Sequence, residues 1–227
     1  MIIRILDILF SFSALAVLLP ILVPVAVILR LTGEGHIFYV QERVGKNATK
    51  FGLVKFATML EDSPNMKGGT ITVENDPRVL PVGRVLRKTK INELPQLANI
   101  LVGDMSVIGP RPLTENHYRM YPVKFRETIS SVKPGLSGIG SIIFRDEERF
   151  LSVQQNPAHY YENEIAPYKA ALEVWFVENK GITLYLKCIF ITAWAVFRPN
   201  STFASKLFPG IPLPVGKLQN DLKVGVR

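Results

Sequence analysis

The segment Ile8–Leu29, ILFSFSALAVLLPILVPVAVIL, contains no charged residue. Arg4 and Asp7 bound it on one side and Arg30 on the other. About 20 apolar residues cross a bilayer as a helix, so the run is long enough to do so. A cleaved signal peptide fits poorly, because its apolar region would be about 7–15 residues and would precede a small-residue cleavage site. Pro20 and Pro24 lie inside the run, and each lacks a backbone N–H and crowds the preceding turn. Two readings follow. One is a helix–break–helix that enters the bilayer and returns to the same face. The other is a kinked single span, which composition alone favours because proline is tolerated in transmembrane helices. Lys and Arg are plentiful after Arg30, so residues 31–227 are expected on the cytoplasmic side in either case.

The rest of the composition agrees with a membrane association. The 227 residues make one compact domain with at most one appended element. A hydrophobic fraction of 48% against 20% charged excludes a disordered chain. The single cysteine, Cys188, forms no internal disulfide and suits a reducing compartment. A net charge of +8 beside a mean hydropathy of +0.20 points to a membrane surface, a polyanionic ligand, or both. On composition, nucleic acid stays an option.

Beyond the anchor, short strands are expected at 36–40 and 51–56, separated by the Gly45-Lys46-Asn47 turn. Residues 61–78 read as a mobile loop with Gly68-Gly69. A helix is expected from Val82 to Lys90, with Arg84, Arg87 and Lys88 on one face. A second helix is expected to start at Asn92 as its N-cap, with Pro95 in its first turn and Leu94, Leu97, Ala98 and Leu101 as its apolar stripe. Gly103 ends it, and Gly109, Pro110 and Pro112 keep the next stretch irregular. Residues 157–180 read as helical. Leu184–Phe197 is too short for a span and reads as a core or surface-lying helix.

The chemistry concentrates between Arg84 and Arg111. This stretch holds Arg84, Arg87, Lys88 and Lys90, the carboxylates Glu93 and Asp104, and Arg111 in a rigid Pro-Arg-Pro frame. A helix N-terminus and arginine forks suit phosphate, and carboxylates suit Mg²⁺ shared with substrate phosphates. The plainer reading is that the cations meet anionic headgroups at about 1 kcal/mol each, that Asn92 is a cap, and that Glu93 answers the helix dipole. His36, His117 and His159 are scattered, which argues against zinc. No Walker loop or dinucleotide fingerprint occurs, and 135–140 is glycine-rich without being either.

As a set, several motifs resemble the bacterial sugar transferases, the monotopic polyprenyl-phosphate phosphoglycosyl transferases. They are Arg4-Ile5-Leu6-Asp7 before the apolar run, Gln41-Glu42-Arg43-Val44-Gly45, Lys55-Phe56-Ala57-Thr58-Met59, and Leu86 to Leu97 with Glu93-Leu94-Pro95-Gln96. Gly103-Asp104-Met105-Ser106, Gly109-Pro110-Arg111-Pro112 and Lys133-Pro134-Gly135-Leu136-Ser137-Gly138 follow in order. The resemblance runs from Arg4 to about Phe197. It implies an α/β fold: a small membrane-associated domain with an N-terminal re-entrant membrane helix broken at Pro20 and interfacial amphipathic helices. The organisation implied is a re-entrant helix over 1–30, a cytoplasmic catalytic domain over 31–198 and a C-terminal extension over 199–227. The last is open as a membrane-hugging segment or a homodimer contact.

The resemblance further implies transfer of a phosphosugar from a UDP-sugar to undecaprenyl phosphate at the cytoplasmic leaflet of the inner membrane. UMP is released, Mg²⁺ assists, and a surface glycan is initiated, with no nucleic-acid partner. Asn92 and Glu93 take the catalytic positions, Glu93 the metal-ligand position, and Lys55, Arg87, Arg111, Pro112 and Glu173 the substrate-binding positions. The chain departs from the pattern at Asn92, where the family carries a nucleophilic Asp, since a carboxamide has no anionic oxygen. Glu93 attacking instead, direct transfer to the lipid, an engineered or deamidated position, and a non-catalytic binder all stay open. Ala57 replaces a basic residue, Ile139-Gly140-Ser141 replaces Trp-Ala-Gln, and Glu173 replaces Asp.

Overall fold

The computed structural model describes residues 1–66, 72, 75–145, 147–197 and 208–222. The apolar run forms helix α1, Ile2–Leu31, about 45 Å long at 1.5 Å per residue. The break expected at Pro20 is corrected: Pro20 and Pro24 both lie inside one continuous helix. Each proline removes a single hydrogen bond, and in this helix the rest of the ladder carries through.

One side of α1 stays on the domain from end to end. At its start the Arg4 guanidinium donates to the carbonyls of Ile100 and Leu101, the latter at 2.8 Å. Asp7 is buried and accepts from Ser106 Oγ at 2.9 Å, the Val107 amide at 2.8 Å and the Tyr185 hydroxyl at 2.7 Å. Midway, Ala14, Leu15 and Leu18 pack on Leu97 and Ile100. At its end Leu22, Val25, Ala26 and Leu29 pack with Phe56 and Leu86. Leu9, Phe12, Val17, Leu19 and Val23 are left exposed.

Strands β1, Phe38–Val44, and β2, Lys50–Phe56, form an antiparallel hairpin. The small sheet is in fact two two-stranded pairs. The second is parallel, β3, Ser106–Ile108, against β4, Gly135–Ser137. A side chain at Gly109, Gly135 or Gly138 would collide with the backbone of the facing strand, so the glycine-rich 135–140 stretch is a packing device. The Gly68-Gly69 part of the expected loop lies outside the described residues. Its final residues are held by a buried Asp76–Arg78 ion pair at 2.6 Å.

Helix α2, Pro81–Lys88, buries Gly83 and Leu86. The second helix starts later than expected. Lys90 takes a left-handed conformation (φ 61°), Ile91–Glu93 form a 3₁₀ turn, and α3 spans Gln96–Val102. Asn92 therefore caps no helix. The side of α3 that is buried carries Gln96, Leu97, Asn99 and Ile100, while Ala98 is exposed, correcting the expected stripe.

The main core is built from the second half of the chain. It takes in α4, Glu115–Met120, α5, Val123–Ser130, and α6, Ile139–Ile143. It continues through α7, Glu147–Ser152, α8, Pro157–Tyr160, a π turn at Tyr161–Ile165, and α9, Ala166–Glu178. Helix α10, Ile182–Phe197, buries Leu184, Tyr185, Cys188 and Ile191, and leaves Ile182, Leu186, Phe190 and Trp194 exposed at four-residue intervals. Phe208, Ile211 and Leu218 join the same core, so the described part of the 199–227 extension packs on the domain.

Candidate active site

Strand alternation builds the first wall. Tyr39, Gln41 and Arg43 share a face of β1, and the register puts Tyr39 opposite Lys55 of β2. Gln41 Oε1 accepts from Arg43 Nη2 at 2.6 Å and Lys55 Nζ at 3.1 Å, so one amide oxygen spaces two cations. Arg43 Nη1 also donates to the Pro112 carbonyl at 3.0 Å, and Lys55 Nζ lies 5.1 Å from the Tyr39 ring centre. Burial, with Arg43 and Arg87 nearby, pushes the Lys55 ammonium down to about 7.

The second wall is the 3₁₀ turn facing the Pro-Arg-Pro frame. Arg111 Nη2 lies 3.3 Å from Glu93 Oε1. Burial pushes the Glu93 carboxyl up, but Arg111 and Lys90 outweigh it and hold the group below its ordinary value. The charge of Glu93 in turn raises Arg111. Behind them the Arg111 amide donates to Glu173 Oε1 at 3.3 Å. Glu173 is buried, and burial lifts its carboxyl to about 7. Gly140 lies so close that a side chain there would strike Glu173 Oε1.

Asn92 is buried, and its Oδ1 has no hydrogen-bond partner among the described residues. No three His, Cys, Asp or Glu side chains converge on a common point among the described residues. Glu93 and the orphaned Asn92 oxygen on adjacent residues still suit Mg²⁺. That ion takes one or two protein oxygens and fills its octahedron with substrate phosphates and water.

The structure thus brings together Lys55, Arg87, Glu93, Arg111, Pro112 and Glu173, with Asn92 in the same turn. It does not bring Asp104, which stands at the far end of α3 and accepts from Asn99 Nδ2 at 3.3 Å. Arg84 and Lys88 are exposed on α2. Sequence reasoning passed over Arg43, whose alternation with Gln41 and Tyr39 was the available signal. It also passed over Glu147, Glu148 and Lys169, which carried none. Arg87 pairs with Glu148, and buried Lys169 pairs with Glu147. The Lys169 ammonium stands 5.0 Å from the Phe144 ring centre and 5.5 Å from that of Tyr161. His117 packs on Tyr161 at 4.9 Å, and burial beside Arg43 and Lys169 lowers it to about 4.

A pH dependence follows from Lys55. The ammonium loses its charge as pH rises through about 7. Affinity for a phosphate-bearing ligand should therefore fall between pH 7 and 8.5, by up to about tenfold. Lys55→Arg, which keeps its charge, should flatten the profile. Titrating binding of UMP to both proteins across this range checks it, and parallel profiles would remove Lys55 from the site.

Comparison with known proteins finds relatives of the chain. The sequence profile of the family described as "Bacterial sugar transferase" matches residues 1–199. The chain is 45% identical over 195 residues to "Exopolysaccharide production protein PSS" of Rhizobium leguminosarum bv. phaseoli, covering 83% of this chain and 92% of that protein. It is 31% identical over 205 residues to "UDP-glucose:undecaprenyl-phosphate glucose-1-phosphate transferase" of Klebsiella pneumoniae, covering 88% of this chain and 41% of that one. It is 36% identical over 139 residues to "UDP-N-acetylgalactosamine-undecaprenyl-phosphate N-acetylgalactosaminephosphotransferase" of Aeromonas hydrophila, covering 60% and 33%.

Proposed function

The chain belongs to the bacterial sugar transferase family, and from that premise we propose that it transfers a phosphosugar from a UDP-sugar to undecaprenyl phosphate. The observation that carries this reading is the field around Glu93. Arg43, Arg87 and Arg111 all act on Lys55, and Arg111 also acts on Arg43, with Lys90 beside Glu93. Clustered cations repel, and a diphosphate relieves that repulsion while a neutral ligand does not.

In the reaction, a phosphate oxygen attacks the sugar-bearing phosphorus of the UDP-sugar. The bridging P–O bond breaks, and its oxygen and electron pair leave with UMP. The new P–O bond joins the phosphosugar to undecaprenyl phosphate. Asn92 supplies no anionic oxygen and Glu93 is paired with Arg111, so in this reading the attacking oxygen is that of the lipid phosphate and transfer is direct. Arg111 and Arg87 hold the phosphates as forks. Lys55 adds charge, Gln41 spaces Lys55 and Arg43, and Pro112 fixes Arg43 through its carbonyl. A bound Mg²⁺ at Glu93 would neutralise part of the phosphate charge.

The geometry also supports a seat in one leaflet. Arg4 and Asp7 at the start of α1 and Leu29 at its end touch the same domain. A charged domain stays in water, so both ends of the anchor belong on one face of the membrane, the cytoplasmic face by the positive-inside rule. The exposed Ile182, Leu186 and Phe190 of α10 suit an interfacial helix. A cysteine introduced beside Met1 should resist a membrane-impermeant maleimide in intact cells. Cys188 is buried, and labelling of the introduced thiol would establish a span instead.

Incubation with undecaprenyl phosphate and a panel of UDP-sugars tests the activity. UMP should appear with at least one sugar, and only when the lipid is present. A second reading rests on Asn92 alone: a membrane-bound binder of nucleotide-sugar or polyprenyl phosphate. UMP at background across the whole panel would favour it.

A further inference from the structure

The two successive carboxylates that open α7 each engage a cation of the site. Glu147 is bonded to Lys169, which is buried between the Phe144 and Tyr161 rings. Its charge is also felt by Arg111 and His117. Glu148 reaches Arg87, whose other nitrogen, Nη1, lies 3.8 Å from Met59 Sδ. The two pairs differ in exposure. Lys169 is 5% and Glu147 22% exposed at the side chain, whereas Glu148 is 46% exposed against 20% for Arg87. Glu147 is therefore fixed, and Glu148, next to it on the same turn, can turn into solvent without a large desolvation change.

We propose that Glu148 is a positioning residue that competes with substrate phosphate for Arg87: its carboxylate holds the guanidinium in the free protein, gives way to the nucleotide phosphate, and on its return helps release the product nucleotide. The inference rests on reading the site as one for a UDP-sugar. The physical basis is an exchange of like for like. A half-exposed carboxylate pair with arginine is weak, and a phosphate fork to the same guanidinium is stronger. A diphosphate substrate thus wins the exchange by more than a monophosphate product does. Lys169 and Glu147 serve as the fixed point from which Glu148 swings.

UMP binding to the full chain in detergent, measured by calorimetry, tests this. Glu148→Gln keeps the size of the side chain and removes the competing charge. It should tighten UMP about two- to fivefold, the worth of an exposed ion pair. Glu148→Asp should restore the natural affinity. On an Arg87→Gln background, Glu148→Gln should give no gain, because the competition runs through Arg87. In turnover, Glu148→Gln should lower KM for the UDP-sugar while UMP becomes a stronger product inhibitor. Unchanged or weaker UMP binding in a Glu148→Gln protein of natural Tm would overturn the proposal, as would an equal gain with and without Arg87. Absence of UMP binding to the natural chain would instead overturn the reading of the site, and this inference with it.

Discussion

The Asn92→Asp variant should release UMP from a UDP-sugar in the absence of any lipid, in a burst approaching one equivalent, while the natural chain releases none. The side chain at 92 sits in the 3₁₀ turn beside Glu93, buried, with its oxygen unclaimed by any described donor. Aspartate there is an anionic oxygen of the same size, aimed into the same cation field. The field of Arg111 and Lys90, which holds Glu93 ionised, should hold a second carboxylate ionised as well. It then attacks the sugar-bearing phosphorus and retains the phosphosugar as an acyl phosphate, detectable as a mass shift on the protein. The same comparison separates the mechanisms for the natural chain. A lipid-independent burst from the natural chain would make Glu93 the nucleophile. Activity in the variant with none in the natural chain, lipid included, would make the natural protein a binder.

Arg111→Ala should lower kcat/KM for the UDP-sugar by about 100-fold or more, the usual cost of removing a group aimed at transition-state charge. Two effects add. The phosphate loses a bidentate partner, and Glu93 loses the charge that offsets its burial, so its carboxyl moves upward. Arg111→Lys should recover only part of the loss, because an ammonium does not reproduce the fork. The Arg111 amide bond to Glu173 involves the backbone and survives either change, so the frame stays in place and the loss reports the guanidinium. Turnover within about threefold of the natural protein would remove Arg111 from phosphate binding.

The parts of this molecule that local pattern encodes were readable. The uncharged run to Leu29, the turn between the two strands, and the helix expected over 82–90 and found over Pro81–Lys88 each follow from residues contiguous in the chain. Family motifs then placed Lys55, Arg87, Arg111 and Glu173 together, and the structure brings them together. What escaped was set by long-range packing. The start of α3 shifted by four residues because Lys90 takes a left-handed turn and a 3₁₀ segment precedes the helix, and Asn92 lost its role as a cap. Nothing local marks Glu148 as a partner of Arg87, 61 residues away. Nor does α9 announce that Lys169 and Glu173 point inward, since charged residues four apart on a helix read as a solvated face until the core is seen around them.

The polar clamp at the start of the anchor has a consequence for biosynthesis. Asp7 bonds to groups 99, 100 and 178 positions later in the chain. At about 5–20 residues per second, Tyr185 is polymerised roughly 10–35 s after Asp7. Throughout that interval the Asp7 carboxylate lacks the tyrosine that helps enclose it in the finished domain. The clamp is therefore the last part of the anchor to be completed: a chain that stops before Tyr185 keeps the helix but cannot close the domain over Asp7.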